Sequence, residues 1–273
     1  MIYLILGRTA SGKDMLGDFL EKEGINQIIS KTTRQKRNDG DRHIFVDEKT
    51  YKNDKENILV ETVIDDNRYY ITKDMLVDDS FYIIDPDTAK ILIEKTPDVA
   101  YHIFYVSSDN KEIRKERYLN RDEKANEDEF IKRDNSEDEM FKDFEEDIVN
   151  EVIYDAFKTN LLKINVLNNS TNDKKHLEVF AKEIKRLNTQ FKRVKSLVNV
   201  LINEDMVVND NGKIKITIND NENTPYDIYK TVDEIAFLAM YDKGTLSDLI
   251  IPLIAMKDND RLKKVLKNLS NSI

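Results

Sequence analysis

Apolar and polar positions alternate in two textures along the chain. Over the first two-thirds, short apolar or alternating runs are interleaved with longer amphipathic stretches. Strands are expected at Ile2–Leu6, Gln27–Ser30, Ile58–Ile64, Arg68–Thr72, Phe81–Ile84, Ala100–Val106 and Lys163–Leu167. Helices are expected at Asp14–Lys22, Thr88–Lys95, Asn110–Asn120, Glu127–Phe144 and Lys174–Val200. Asp65-Asp66-Asn67 reads as the turn between two of the strands, and Asp85-Pro86-Asp87 follows another. Strands that alternate with helices imply an α/β fold built on an open parallel sheet flanked by helices. Ligands of such sheets bind at the carboxyl ends of the strands, where Gly7, Asp85 and Ser107 fall.

The remainder reads differently. Met206 to Ile218 is expected to be a hairpin around Asn209-Asp210-Asn211-Gly212. Helical patterns follow at Tyr226–Tyr241, Leu246–Met256 and Arg261–Leu269. This is a mixed α+β extension without a chemical motif, and Leu249-Ile250-Ile251 and Leu253-Ile254 read as core. The expected division is residues 1–187 and 188–273. Apolar helices in the second part suit self-association or a protein partner.

Composition narrows the picture. In 273 residues, 40% are hydrophobic, enough for a sizeable core, and 35% are charged. The net charge of −10 argues against a general nucleic-acid surface, so an enzyme of anionic substrates must gather its cations locally. There is no cysteine, which excludes disulfides and thiolate metal sites. Met1–Leu6 is too short for a signal peptide or a membrane span, and a cytoplasmic protein is expected.

The first apolar run leads into Gly7-Arg8-Thr9-Ala10-Ser11-Gly12-Lys13-Asp14. This is G-x-x-x-x-G-K between a strand and a helix, the setting in which backbone N–H groups cradle phosphates and the lysine reaches the outer ones. ATP is the expected ligand of Gly7 to Asp14. Asp14 stands where Ser or Thr usually holds Mg²⁺, and its carboxylate is also a hard oxygen ligand. A second cationic group follows: Arg34 and Arg37, three apart, suit a two-forked grip on one phosphate or a solvated basic loop. Arg117 and Arg121, four apart, share one helix face. They suit either closure over phosphates or pairing with Glu112, Glu116 or Asp122.

Ser30-Lys31-Thr32-Thr33-Arg34-Gln35-Lys36-Arg37, followed by Gly40, His43 and Phe45, resembles S-x-T-T-R-x-x-R and G-x-x-Y-x-F of the guanylate kinase family. With the phosphate loop, the resemblance spans roughly residues 1 to 187. It implies a P-loop NTPase-type sheet with a monophosphate-binding arm and a mobile lid. It also implies the site, position by position. Arg34, Arg37, His43 and Tyr70 would hold the acceptor phosphate. Ser30, Glu61, Thr72 and Asp87 would face the base, with Glu61 accepting from guanine N1 and N2. The family glycine before Thr72 is Ile71 here, so the tyrosine register also admits Tyr69. Asp85 would hold Mg²⁺ through water, or simply end a strand. Arg117, Arg121 and Arg133 would form the lid, although Asp122 replaces a glycine and Arg133 lies one residue further on. Asn168-Asn169 follows the last strand, near where the family places an adenine contact. The implied activity is transfer of the ATP γ-phosphate to GMP or dGMP with Mg²⁺. Another nucleoside monophosphate as acceptor, or a binding module that has lost catalysis, are the alternatives. Retention of Lys13 and the arginines speaks for the enzyme.

Overall fold

The computed structural model describes residues 1–36, 41–64, 66–108, 110–121, 125–150, 161–171, 173–203, 208–210, 213–218, 226–241, 263 and 267. The chain divides into two compact units, 1–97 with 101–185, and 98–100 with 186–273.

The first unit is built on strands β1 (Ile2–Leu6), β2 (Asn26–Gln27), β7 (Ser80–Ile83), β8 (Tyr101–Ser107) and β9 (Leu162–Asn168), arranged β2-β7-β1-β8-β9 and all parallel. Every residue of the central strand β1 is buried. A strand covered on both faces needs an unbroken apolar run, which is what Ile2-Tyr3-Leu4-Ile5-Leu6 supplies. Helices α1 (Lys13–Lys22), α3 (Pro86–Lys95), α4 (Lys111–Leu119) and α5 (Glu127–Val149), with the start of a long helix α6 (Lys175–Asn203), accompany this sheet. The α/β architecture expected from the alternation is therefore the one observed.

A smaller mixed sheet, absent from the expectations as a separate layer, takes the order β4-β3-β6-β5. Its strands are β3 (Lys31–Thr32), β4 (Ile44–Phe45), β5 (Ile58–Ile64) and β6 (Asn67–Thr72), and helix α2 (Glu48–Asp54) lies between β4 and β5 in sequence. The single strand expected at Gln27–Ser30 is corrected. The chain leaves the large sheet once Ile28 N–H has bonded to Phe81 O, and it joins the small sheet only at Lys31. Helix α2 was not foreseen, although Asp47 accepts from Thr50 N–H as an ordinary N-cap.

An ion triad around a buried carboxylate ties α4 to α5. Asp134, 2% exposed, lies 2.7 Å from Arg114 and 2.6 Å from Lys111. Burial pushes the Asp134 carboxyl up, but the two cations outweigh it and hold it below the usual range.

In the second unit, β10 (Val208–Asp210), β11 (Lys213–Ile218) and β12 (Tyr226–Lys230) form an antiparallel sheet in that order. Val198, Leu201, Ile214, Ile235 and Ala239 make its core with the end of α6 and helix α7 (Val232–Tyr241). The expected hairpin is present. The helix expected over Tyr226–Tyr241 is corrected: its first five residues pair as β12. Thr231 then starts α7 with a reciprocal cap, Thr231 N–H to Glu234 Oε2 at 2.6 Å and Glu234 N–H to Thr231 Oγ1 at 3.1 Å. The helices expected at Leu246–Met256 and, apart from Lys263 and Lys267, at Arg261–Leu269 lie outside the described residues. Among the described residues no helix is long and apolar enough to cross a membrane.

His102 on β8 is 1% exposed, stacks on Phe104 and shares a 2.6 Å hydrogen bond with Asn165. Burial lowers its pKa to about 4. The unfolded chain binds a proton near pH 6.5 that the folded protein refuses until about pH 4. Stability is therefore lost as pH falls between these values, by roughly 3 kcal/mol in all. Urea denaturation of the parent and His102→Gln across pH 4–7 should show a shallower acid-side slope in the variant; equal slopes would refute the assignment.

Candidate active site

The loop after β1 is shaped by close packing. A Cβ on Gly7 would stand 2.7 Å from the Val106 carbonyl oxygen, a backbone atom that cannot retreat. Gly12, with φ +107°, has no room for one because the Asn169 side-chain amide lies against it. Ala10 also takes a left-handed φ of 59°. Ser11 is fully buried, and its N–H bonds to Arg8 O at 3.0 Å. Lys13 Nζ donates to the Arg8 carbonyl at 3.1 Å, so its ammonium stays over the loop. Gly12 precedes α1 directly and no side chain caps that helix, leaving its first N–H groups facing the loop.

Two expected lid arginines reach this loop by different means. Arg117 donates to backbone carbonyls: Ala10 O and Ser11 O at 3.4 Å, Asn169 O at 2.9 Å and Thr171 O at 2.5 Å. It therefore clamps the loop after β1 to the segment after β9, and burial lowers its pKa. Arg121 donates to Asp14 Oδ2 at 3.0 Å, with both side chains about 60% exposed. Arg133 instead bonds to Glu129 at 2.9 Å and lies over the Tyr118 ring. Asn169 was noted only weakly in the sequence, yet it is a principal support. It is 3% exposed, donates through Nδ2 to Ser11 O at 2.5 Å and shares a 2.6 Å hydrogen bond with His176.

The two expected metal carboxylates differ in fitness for a cation. Asp14 is an exposed hard oxygen donor on the first turn of α1, beside the loop. Asp85 is the N-cap of α3, and both its oxygens accept from Thr88, from N–H at 2.8 Å and from Oγ1–H at 2.7 Å. Asp85 thus ends the strand as a helix cap, with both oxygens engaged by Thr88. Asp87 is exposed, and partial desolvation with the Asp85 charge raises its pKa.

The expected acceptor residues do not converge. Strand alternation in the small sheet, with the observed contacts, separates them into two networks. On one side Arg34, 10% exposed, donates to Tyr69 OH at 2.8 Å and pairs with Asp41 at 2.8 Å. His43 packs edge-on against Tyr69, and Phe45 lies beside the Arg34 guanidinium. On the other side Glu61 accepts from Arg68 at 2.8 Å and from Tyr51 OH at 3.4 Å. Tyr70 belongs there: fully buried, its hydroxyl donates to Asp54 at 2.9 Å, and Lys31 completes the group through Asp54. Of the two tyrosines the register admits, Tyr69 is the one beside Arg34, while Tyr70 lies directly opposite Glu61 in the β5–β6 register. Ser30 is buried and shares a 2.8 Å hydrogen bond with Tyr82, whose pKa burial raises to about 12. Thr72 is buried at the end of β6. Arg37 and Gly40 lie outside the described residues.

Sequence reasoning missed the acidic side chains that α5 presents to the loop. Glu137 accepts from Thr9 N–H at 2.7 Å and from Thr9 Oγ1–H at 2.6 Å. Glu145 accepts from Arg8 at 3.0 and 2.9 Å, and Asp138 also pairs with Arg8. These bonds hold the Arg8 guanidinium firmly protonated. With so many carboxylates on α5, nothing in the sequence marks these three.

No protein-family model matches the chain, and no curated protein matches it. Among solved structures, it is similar to a crystal structure of guanylate kinase from Anaplasma phagocytophilum, at 16% identity and a TM-score of 0.39. That similarity covers 68% of this chain and 85% of the other.

Gly12→Ala tests the packing of the loop. The left-handed φ and the Asn169 amide both oppose a Cβ, so the variant should lose about 1–3 kcal/mol of stability. Chemical denaturation reads this directly, and a loss below about 0.5 kcal/mol would contradict the geometry.

Proposed function

We propose that the chain is an ATP-dependent nucleoside monophosphate kinase, with GMP or dGMP as the acceptor that its motif residues imply. One observation carries the reading: the G-x-x-x-x-G-K loop lies at the carboxyl end of the central parallel strand. There Lys13 and the uncapped start of α1 face it, and Arg117 and Arg121 reach it from α4 and from two residues past its end. Phosphoryl transfer needs positioning and charge neutralisation rather than covalent chemistry by the protein. Lys13 would follow the transferred group. Arg117 would fix the loop that holds the donor phosphates. Arg121 is one bond away from release, since its exposed partner Asp14 is also the carboxylate suited to Mg²⁺. Bound Mg²⁺ would neutralise phosphate charge and orient the donor, held on the protein side by Asp14. Arg34, steadied by Tyr69 and Asp41, would bind the acceptor phosphate.

A broader acceptor range is favoured by a specific contact. Glu61, the residue on which guanine selection rests, is already satisfied by Arg68 and Tyr51, on the face of the small sheet away from Arg34. A guanine-reading Glu61 would first have to leave that network.

A panel of ribo- and deoxynucleoside monophosphates, incubated with ATP and Mg²⁺ and scored for diphosphate, tests both statements. GMP and dGMP are expected to be converted fastest, and equal use of all bases would transfer the assignment to the broader reading. Lys13→Met should lower turnover about a hundredfold, the size of losing one transition-state charge contact. Turnover within threefold of the parent would overturn the kinase reading.

A further inference from the structure

We infer that Glu137 acts as an internal anion on the phosphate loop, so that ATP binds by displacing its carboxylate. The inference rests on reading that loop as a nucleotide site. Loops of this type satisfy their N–H groups with ligand oxygens. Here both donors of Thr9 are already occupied by one carboxylate, N–H on Oε2 at 2.7 Å and Oγ1–H on Oε1 at 2.6 Å. This is the two-point grip that a phosphate would receive. The adjoining cation is occupied from the same helix. Arg8 gives Nε–H and Nη2–H to Glu145 and Nη1–H to Asp138, with Phe141 5.6 Å from its guanidinium. Residues 137, 138, 141 and 145 recur at helical spacing, so one face of α5 meets the loop. A polyphosphate arriving there would compete for the same donors and be repelled by the same charge.

The sign of the effect separates this role from a structural one. A residue that props the loop weakens nucleotide binding when it is removed. An anion that occupies the loop strengthens binding when it is neutralised. Calorimetric titration of ATP in the presence of Mg²⁺ should therefore show Glu137→Gln binding at least fivefold more tightly than the parent. Glu137→Lys should bind more tightly still, with the gain shrinking as salt is raised. Glu139→Gln, an exposed carboxylate on the same helix, should stay within twofold of the parent, which separates a local effect from the net charge. Circular dichroism and melting temperature establish that each variant is folded. Tightening by either folded Glu137 variant supports the inference, and equal or weaker binding by both overturns it. If the parent still binds ATP in that case, and Lys13→Met does not, the kinase reading stands without it. Absence of ATP binding by the parent and every variant overturns both.

Discussion

The site depends on how closely the loop after β1 is pressed against the carboxyl ends of its neighbours. Gly7 abuts the Val106 carbonyl at the end of β8, and Gly12 abuts Asn169 just beyond β9. A side chain at either position would push the loop off the sheet edge. Arg117 completes the arrangement by binding carbonyls from the loop and from the segment after β9 together. The carbonyls are satisfied from behind. The uncapped start of α1 remains as the positive end beside the loop.

Charge explains the second layer of organisation. The chain is acidic overall, with 53 Asp and Glu against 43 Lys and Arg, and three of its arginines here are met by carboxylates. Arg8 is held by Glu145 and Asp138, Arg121 by Asp14 and Arg34 by Asp41. The exposed pair Arg121–Asp14 costs little to break, because solvent screens it. The pairs of Arg8 and Arg34 are more sheltered and would be costlier to break. This ordering makes α5 and the loop a unit, and it makes Arg121 the most easily freed of these arginines.

The small sheet shows how a two-residue period sorts chemistry that sequence order places together. Tyr69 and Tyr70 are adjacent in the chain and belong to different networks. Tyr69 orients Arg34, while Tyr70 is locked to Asp54 and Lys31. Glu61 follows Tyr70 because the two are cross-strand partners. The family resemblance would assign both Arg34 and Glu61 to one substrate. The pleat gives them opposite faces.

The sequence by itself determined the elements whose cause is local. The unbroken apolar run Ile2–Leu6, the glycine spacing up to Lys13 and the alternation of strands with amphipathic helices sufficed for the parallel α/β sheet and for the tight glycine loop after β1. Each depends on neighbours a few residues away or on burial on both faces. The cap at Thr231 was equally local, a T-x-x-E pattern that could have separated β12 from α7. Only the tertiary structure decided which carboxylate meets which cation. The partners Arg8–Glu145, Thr9–Glu137 and Asn169–Ser11 are separated by more than a hundred residues, and α5 offers too many acidic side chains for any to stand out. Long-range contacts of this kind are fixed by the packing of whole elements, whose relative placement no local pattern encodes.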